Sequence, residues 1–361
     1  MQKLDRRWRR LKESANQSTM NMKKEYFVMK KVISLILSVI MVASLFAGCS
    51  DSNTTDSAVQ PTGFAENYTV AIVQQLDHSS LDEIRTAVAA QLKALGEEKG
   101  VGIVIEEYNG QNDPSTLNQI GAQVVGDEVD LIIPIATLAA QCMVTAADGT
   151  DTPIVYAAIS DPEAGGLTGI PTVTGTSDAL NTAFILDMMF AVNHDIQTVG
   201  LLYSNSEANS TTPIAEAKAY LDAKGIAYLE KTGNTTDEII TAASSLVDRV
   251  DAVFTPTDNV VMAAESAVAE ILNGAGIPHY AGADSFVLSG AFTTCGVNYT
   301  ELGTYTANMA MDILLGGEVP EYHVMEGGII TVNTDTAAAL ELDYSAFSTM
   351  ANTVVEVTTG E

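Results

Sequence analysis

Positive charge is scarce in every part of this chain that can fold. Seventeen basic residues stand against 46 acidic ones, and ten of the seventeen precede Val32. From Cys49 onward, 7 basic residues face 43 acidic ones. A body this acidic repels phosphate backbones and anionic membrane surfaces, which excludes nucleic-acid binding. Cysteine is nearly absent: beyond Cys49 only Cys142 and Cys295 remain, both in apolar segments without metal-ligand spacing. They read as two buried thiols, with a disulfide between distant segments as the alternative. Histidine is limited to His78, His194, His279 and His323, far apart and without a second ligand at helical spacing, so no metal site is implied. The G-x-S-x-G elbow, the P-loop, the H-E-x-x-H pair and the Gly-rich dinucleotide fingerprint are all missing. Asp161, Asp258 and Asp284 have the chemistry of general acids or bases, but no nucleophile or electrophile accompanies them. Neither an enzyme nor a cofactor is expected.

What is present starts with a leader. Met29-Lys-Lys31 precedes an apolar stretch, Val32 to Phe46, of roughly 15 residues, which is signal-peptide length and short of a spanning helix. Phe46-Ala-Gly-Cys49-Ser50 resembles the lipobox of bacterial lipoproteins, in which the cysteine is lipidated and becomes the mature N-terminus. Residues before Met29 read as an upstream start-site extension, so 1–48 is set apart from the fold. The stretch from the lipidated Cys49 to Asn67 is polar, without apolar period, and reads as a tether.

From Tyr68 the chain alternates short apolar runs with helical periods. Thr69–Val73 is a strand, followed by Gln74-Gln-Leu-Asp-His78 and a helix opened by Ser80-Leu-Asp-Glu83 at capping-box spacing. Further strands fall at Val101–Ile105, Asp130–Ile135 and Ile154–Ala158. After Thr172–Gly175 the same order restarts, with strands at Thr198–Tyr203, Ala227–Leu229, Ala252–Thr255 and His279–Ala281. Runs that are apolar on both faces and alternate with helices predict parallel sheets covered on both sides. Two α/β lobes follow. The strand Ala291–Cys295, helix Tyr299–Leu315 and strand Ile329–Val332 then return the chain to the first lobe and again to the second, giving three crossings and a hinge. Lobe 1 is expected over 68–176 plus 299–320, lobe 2 over 177–298 plus 321–347, and a tail over 348–361.

Polar clusters sit at the strand ends: Gln75 to His78, Ala136-Thr137, Ser160-Asp161-Pro162, Glu207 to Ser210, Thr257-Asp258-Asn259, and Asp284. Ligands of open parallel sheets bind beyond those ends, so two such edges face to face make a cleft. Arg85 and Arg249 are the only arginines of the folded body, and both lie in helical segments away from these loops. A ligand carboxylate must then be held by hydroxyls and helix N-termini, with the loop after Thr198–Tyr203 as the best site. Acids near the cleft suit an ammonium group. A zwitterion fits.

The chain also resembles the lipoprotein substrate-binding components of ABC importers of the tryptophan/tyrosine type. The resemblance is carried by Ala71-Ile-Val-Gln-Gln-Leu-Asp-His78 with Leu81-Asp82, Ile135-Ala-Thr-Leu-Ala-Ala-Gln141 and Pro153–Pro162. It extends through Tyr203 with Glu207-Ala-Asn-Ser210, Pro256-Thr-Asp-Asn259, Ala283-Asp284 and Tyr299-Thr-Glu-Leu-Gly303. It implies the type I periplasmic-binding-protein fold, an aromatic amino acid as cargo, and an ABC permease with a cytoplasmic ATPase as partner. It also implies a monomer tied to the outer face of the bacterial cell membrane by its lipid alone. Carried over by position, Glu207, Asn209 and Ser210 would hold the ligand backbone, and Thr137 and Ser160 would add hydroxyls. Asp258 or Asp284 would pair with the ammonium, while Asn259, Tyr299 and Leu76 would shape the wall beside Asp77 and Asp161. Tyr156, Tyr203 or Tyr299 would stack on the side chain. A different cargo on the same fold (nucleoside, sugar or branched amino acid) and a ligand sensor for a signalling receptor are the alternatives.

Overall fold

A computed structural model describes residues 66–360. The leader, Cys49 and most of the tether lie outside them. The first lobe opens with β1 (Asn67–Gln74), α1 (Ser79–Lys99), β2 (Gly102–Asn109), α2 (Pro114–Gly126), β3 (Leu131–Ile135), α3 (Thr137–Ala146), β4 (Ile154–Tyr156) and β5 (Val173–Ser177). The second continues with α4 (Thr182–Val192), β6 (Thr198–Tyr203), a short 3-10 turn at Ala208–Ser210, α5 (Thr211–Lys224), β7 (Ala227–Thr232) and α6 (Thr236–Ser244). Then come β8 (Ala252–Thr255), α7 (Asn259–Met262), α8 (Glu265–Gly274), β9 (His279–Ala281), α9 (Asp284–Leu288) and β10 (Thr293–Gly296). The returning segment holds α10 (Tyr299–Leu314), β11 (His323–Val324), β12 (Ile329–Asn333), α11 (Thr334–Ala339), α12 (Phe347–Met350) and β13 (Thr353–Val357).

Two sheets result. The first has strand order β11-β5-β4-β3-β1-β2 and the second β13-β12-β10-β9-β8-β6-β7. All pairings are parallel except β10 with β12. The central strands are apolar on both faces because both are covered: Val70, Ile72 and Ile133 pack on one side of the first sheet, and Ala71, Val73 and Ile132 on the other. The chain crosses between the sheets after β5, after β10 and before β12, which makes the three-crossing hinge of a type I periplasmic-binding-protein fold.

Helix α10 fulfils the expected return to the first lobe by lying on α1. Close approach requires Gly303, where a Cβ would come within 2.7 Å of the Ile84 carbonyl. Gly175 plays the same part between strands, since a Cβ there would sit 2.1 Å from the Tyr156 carbonyl.

Two expectations are corrected at the C-terminal end. Residues beyond 320 do not pass straight to lobe 2: β11 first pairs with Thr176 and Ser177 of β5, and only then does the chain cross. Nor is 348–361 a tail. Val354 and Val357 are half-buried, and β13 pairs with β12 through five residues, Ile329 to Asn333. The Asn333 amide ties the segment down further by donating to Thr359 Oγ1 at 2.9 Å. Cys142 and Cys295 are free and buried. No helix among the described residues is long and apolar enough to cross a membrane.

Candidate functional site

The loop after β6 has the backbone and hydroxyl donors expected of an anion site, and the anion it holds is a side chain of the protein. Asp258, wholly buried at the N-cap of α7, accepts from Ser204 N and Ser210 Oγ, both at 2.7 Å, on Oδ2. Its Oδ1 accepts from Val260 N and Val261 N at 3.1 and 3.0 Å. Burial raises the pKa of this carboxyl, and the four donors oppose that shift, which is how an unpaired charge is tolerated here. Ser210 and Asp258 were both expected to touch cargo. Instead each satisfies the other inside the second lobe.

The lobes meet through side-chain hydrogen bonds across the cleft. Gln75 Nε2 of the first lobe donates to Glu207 Oε1 at 3.0 Å, while Asn259 Nδ2 donates to Glu207 Oε2 at 3.0 Å. His78 Nε2 lies 3.4 Å from Asn259 Oδ1, Ser80 Oγ donates to Asp284 Oδ1 at 2.7 Å, and the Ser160 and Thr257 hydroxyls are 2.7 Å apart. Thr212 donates to Asp161 at the rim. The capping box expected at Ser80–Glu83 is thus not formed. His78 is the N-cap without a side-chain bond, Ser80 reaches the other lobe, and Glu83 accepts from Thr300 of α10.

Between these latches lies a cavity of about 30 Å3, lined by residues of both lobes. That is room for about one or two waters, so anything larger enters only when the lobes part. Thr137, Ser160, Asn209, Asn259 and Tyr299 line it as expected, and Asp258 contributes to its wall. Ala136 and Ala158 also line it, and both have the left-handed backbone that alanine seldom adopts, with φ of 75° and 57°. Ala136 is the N-cap of α3 and offers no side-chain cap; Gln75 Oε1 accepts from Leu138 N at 3.0 Å in its place, which leaves Thr137 as the residue of the helix start that lines the cavity. No lysine or arginine is among the lining residues.

Other expected residues fall elsewhere. Leu76 turns into the first lobe's core with Leu81 and Ile84, because its position continues the buried face of β1. Asp77 is exposed and accepts from Asn109 and Gln74, both of its own lobe. Asp161 is a rim latch and Asp284 a bridge, neither facing the cavity. Tyr156 is core, and Tyr203 spends its hydroxyl on Glu230.

Asp178 escaped the sequence reading, since it lies on the first crossover and in no strand-end cluster. It lines the cavity, wholly buried, and accepts from Ser160 Oγ at 3.0 Å and Tyr299 OH at 3.3 Å. Burial raises its pKa. His78 also lines the cavity, with its pKa lowered to about 4 by burial, so it is neutral. Three sealed polar atoms of the lining have no protein partner: His78 Nδ1, Asn209 Oδ1 and Ser285 Oγ. Native interiors rarely leave such atoms unpaired, and three around one cavity mark a place where a polar ligand completes the bonding.

Two parallel α/β lobes on a three-strand hinge, closing over a cavity with unpaired acceptors, define a cleft-closing binding protein. The chain belongs to the family of ABC transporter substrate binding proteins, which residues 69–354 match. It is 32% identical over 323 residues to a tyrosine-binding protein of Clostridioides difficile, covering 87% of this chain and 93% of that one. An ABC domain from Streptococcus pneumonia in complex with L-Trp aligns with TM-score 0.74 at 27% identity, over 80% of this chain and all of that one (100%). The ligand-free, open structure of a substrate binding protein with adhesive properties from Clostridium difficile aligns with TM-score 0.62 at 32% identity, over 81% and 99%. The better superposition goes with the ligand-bound structure although identity runs the other way. That is the direction closed lobes produce.

Closure has a proton linked to it. Glu207 is pushed from its ordinary 4.5 to about 7, first by burial and then by the Asp258 charge beside it. Asp258 has four donors and Glu207 two, so Glu207 takes the proton. The closed form binds that proton more tightly than an open, solvated Glu207, so closure without cargo strengthens as pH falls through about 7. Glu207 alone gives a gain of roughly tenfold per pH unit between about 7 and 4.5, lost on raising the pH again. His78, held near 4 by burial, opposes it below the ordinary 6.5 at which a solvated imidazole takes a proton, so the net gain is concentrated near pH 7; Asp178 and Asp284 are shifted in the same direction as Glu207 by burial. Small-angle scattering of the cargo-free chain at about pH 8 and 6 is expected to show compaction at the lower pH, flattened in Glu207→Gln. Compaction of the same size in that variant would assign the proton elsewhere.

Proposed function

We propose that the cargo is a zwitterionic aromatic amino acid and that the chain is its lipid-anchored, extracytoplasmic receptor, delivering it to an ABC permease. The observation that carries this reading is the polarity of the cavity: buried acceptors and carboxylates, no lysine or arginine, and the start of α3 at Thr137. The ammonium belongs against Asn209 Oδ1 and the Asp178 carboxylate. The carboxylate belongs at the start of α3, where the Thr137 N–H and hydroxyl replace the absent cation while Gln75 holds Leu138 N. Leu81, Met262 and Phe286 supply apolar wall for a side chain, with Tyr299 the one expected tyrosine left to stack on it.

The mechanism is closure with the ligand bridging both lobes. A bound ammonium would supply the positive charge that the cleft lacks, and so stabilise the closed form by the differential contacts it makes there. The relatives named above, one described as tyrosine-binding and one crystallised with L-Trp, support the aromatic class. Lipid anchoring rests on Cys49 and its flanking residues.

Thermal melting with a panel of ligands is expected to rise with aromatic amino acids and stay flat with sugars and nucleosides; stabilisation by the latter alone would overturn the assignment. Asn209→Ala is expected to weaken amino-acid binding about tenfold or more, through loss of a buried hydrogen bond to a charged group. In cells, Cys49→Ser should move the chain from the membrane to the soluble fraction, and unchanged membrane recovery would count against the anchor.

A further inference from the structure

Two of the three unpaired atoms take no part in the amino-acid contacts proposed above. Ser285 is fully buried at the start of α9, and its hydroxyl makes no hydrogen bond. His78 Nδ1 is sealed and equally unpaired. They come from opposite lobes, yet the Ser80–Asp284 bond pins their segments together: His78 lies two residues before Ser80, and Ser285 follows Asp284 directly. Both line the cavity beside Leu81, Met262 and Phe286, its apolar part.

The hydrogen on His78 is settled by its neighbours. Asn259 uses its amide nitrogen to donate to Glu207, so its Oδ1 is the atom facing His78 Nε2 and must accept. Nε2 therefore carries the hydrogen of the neutral ring, and Nδ1 presents a lone pair to the cavity. Ser285 can donate and accept. The pair offers one fixed acceptor and one donor in addition to the acceptors assigned to the ammonium.

A hydroxyl at the end of an aromatic side chain answers both, giving its proton to His78 Nδ1 and accepting from Ser285 Oγ. An indole N–H answers only His78. A bare phenyl ring answers neither, and its binding would leave both atoms unpaired in a drier site. We infer that His78 and Ser285 are selectivity residues that read a phenolic hydroxyl on the cargo, ranking tyrosine above tryptophan and tryptophan above phenylalanine. This ranking rests on the amino-acid reading given above.

Calorimetric titration of the purified chain with L-tyrosine, L-tryptophan and L-phenylalanine tests it. A site built around a hydrogen-bonded group rejects the analogue that lacks it, so tyrosine is expected to bind about 100-fold more tightly than phenylalanine. In Ser285→Ala that ratio is expected to shrink about tenfold or more, and His78→Leu is expected to shrink it as well. Ser285→Ala removes an unpaired buried hydroxyl, so its ligand-free melting temperature should hold or rise, which separates loss of selectivity from loss of fold. Phenylalanine within threefold of tyrosine on the unmodified chain, or an equal loss for all three ligands in Ser285→Ala, would overturn the selectivity role and leave the amino-acid reading standing. Failure of all three to bind the folded, unmodified chain would overturn both.

Discussion

Closing the two lobes buries four carboxylates, Asp178, Glu207, Asp258 and Asp284, in a region that no lysine or arginine lines. Isolated buried charge is costly, and proteins normally pair it. Here the hydrogen-bond donors are shared unequally. Asp258 has four donors, including two backbone N–H groups of α7, and serves as an internal anchor for the loop after β6. Glu207 has two donors, drawn from different elements, and absorbs the remaining electrostatic cost by binding a proton. Asp178 has only two hydroxyls and sits on the hinge strand itself. In the proposed reading an incoming ammonium meets a cleft already organised to receive it, and that asymmetry would make closure responsive to cargo.

The fold was legible because it is written in repeated local signals. Apolar runs such as Asp130–Ile135 and Ala252–Thr255, separated by helical periods, leave little choice but parallel sheets, and the last strand-helix-strand set counts the crossings. The sequence signal fails where pairing depends on partners far along the chain. β11 is two residues long and has no apolar period, so its place beside β5 is a tertiary result. β13 looks like a terminal polar-apolar stretch until β12 is there to pair with it.

The site was legible by position more than by role. Strand-end clusters point to Thr137, Ser160, Asn209 and Asn259, because topology alone puts them at the cleft, while Tyr299 comes from the family resemblance. Direction of the side chain is another matter: Leu76 and Asp77 are consecutive residues of the loop after β1, and one turns into the core and the other to solvent. The anion preference of Ser204–Ser210 was correctly sensed and wrongly assigned, since Asp258 is 48 residues beyond Ser210 and only the fold brings them together. Asp178 and Ser285 carried no signal of their own. Asp178 is buried without a charged counterpart and Ser285 without a hydrogen-bonded one, which no linear pattern records. His279 is equally silent in the sequence, although it lies fully buried between Glu265 and Thr255 at 2.9 and 2.8 Å.

The account depends on a cleft that closes because a zwitterion brings in the missing positive charge. Its most direct test is the distance between a probe on α2 and a probe on α5, followed by pulsed spin resonance at neutral pH as L-tyrosine or L-tryptophan is added. The expected result is two distance populations, with the shorter one filling as amino acid saturates and not filling with the corresponding deaminated acid, which lacks the ammonium. A short distance populated equally by the deaminated acid, or a distance that stays fixed while amino acid binds, would contradict it.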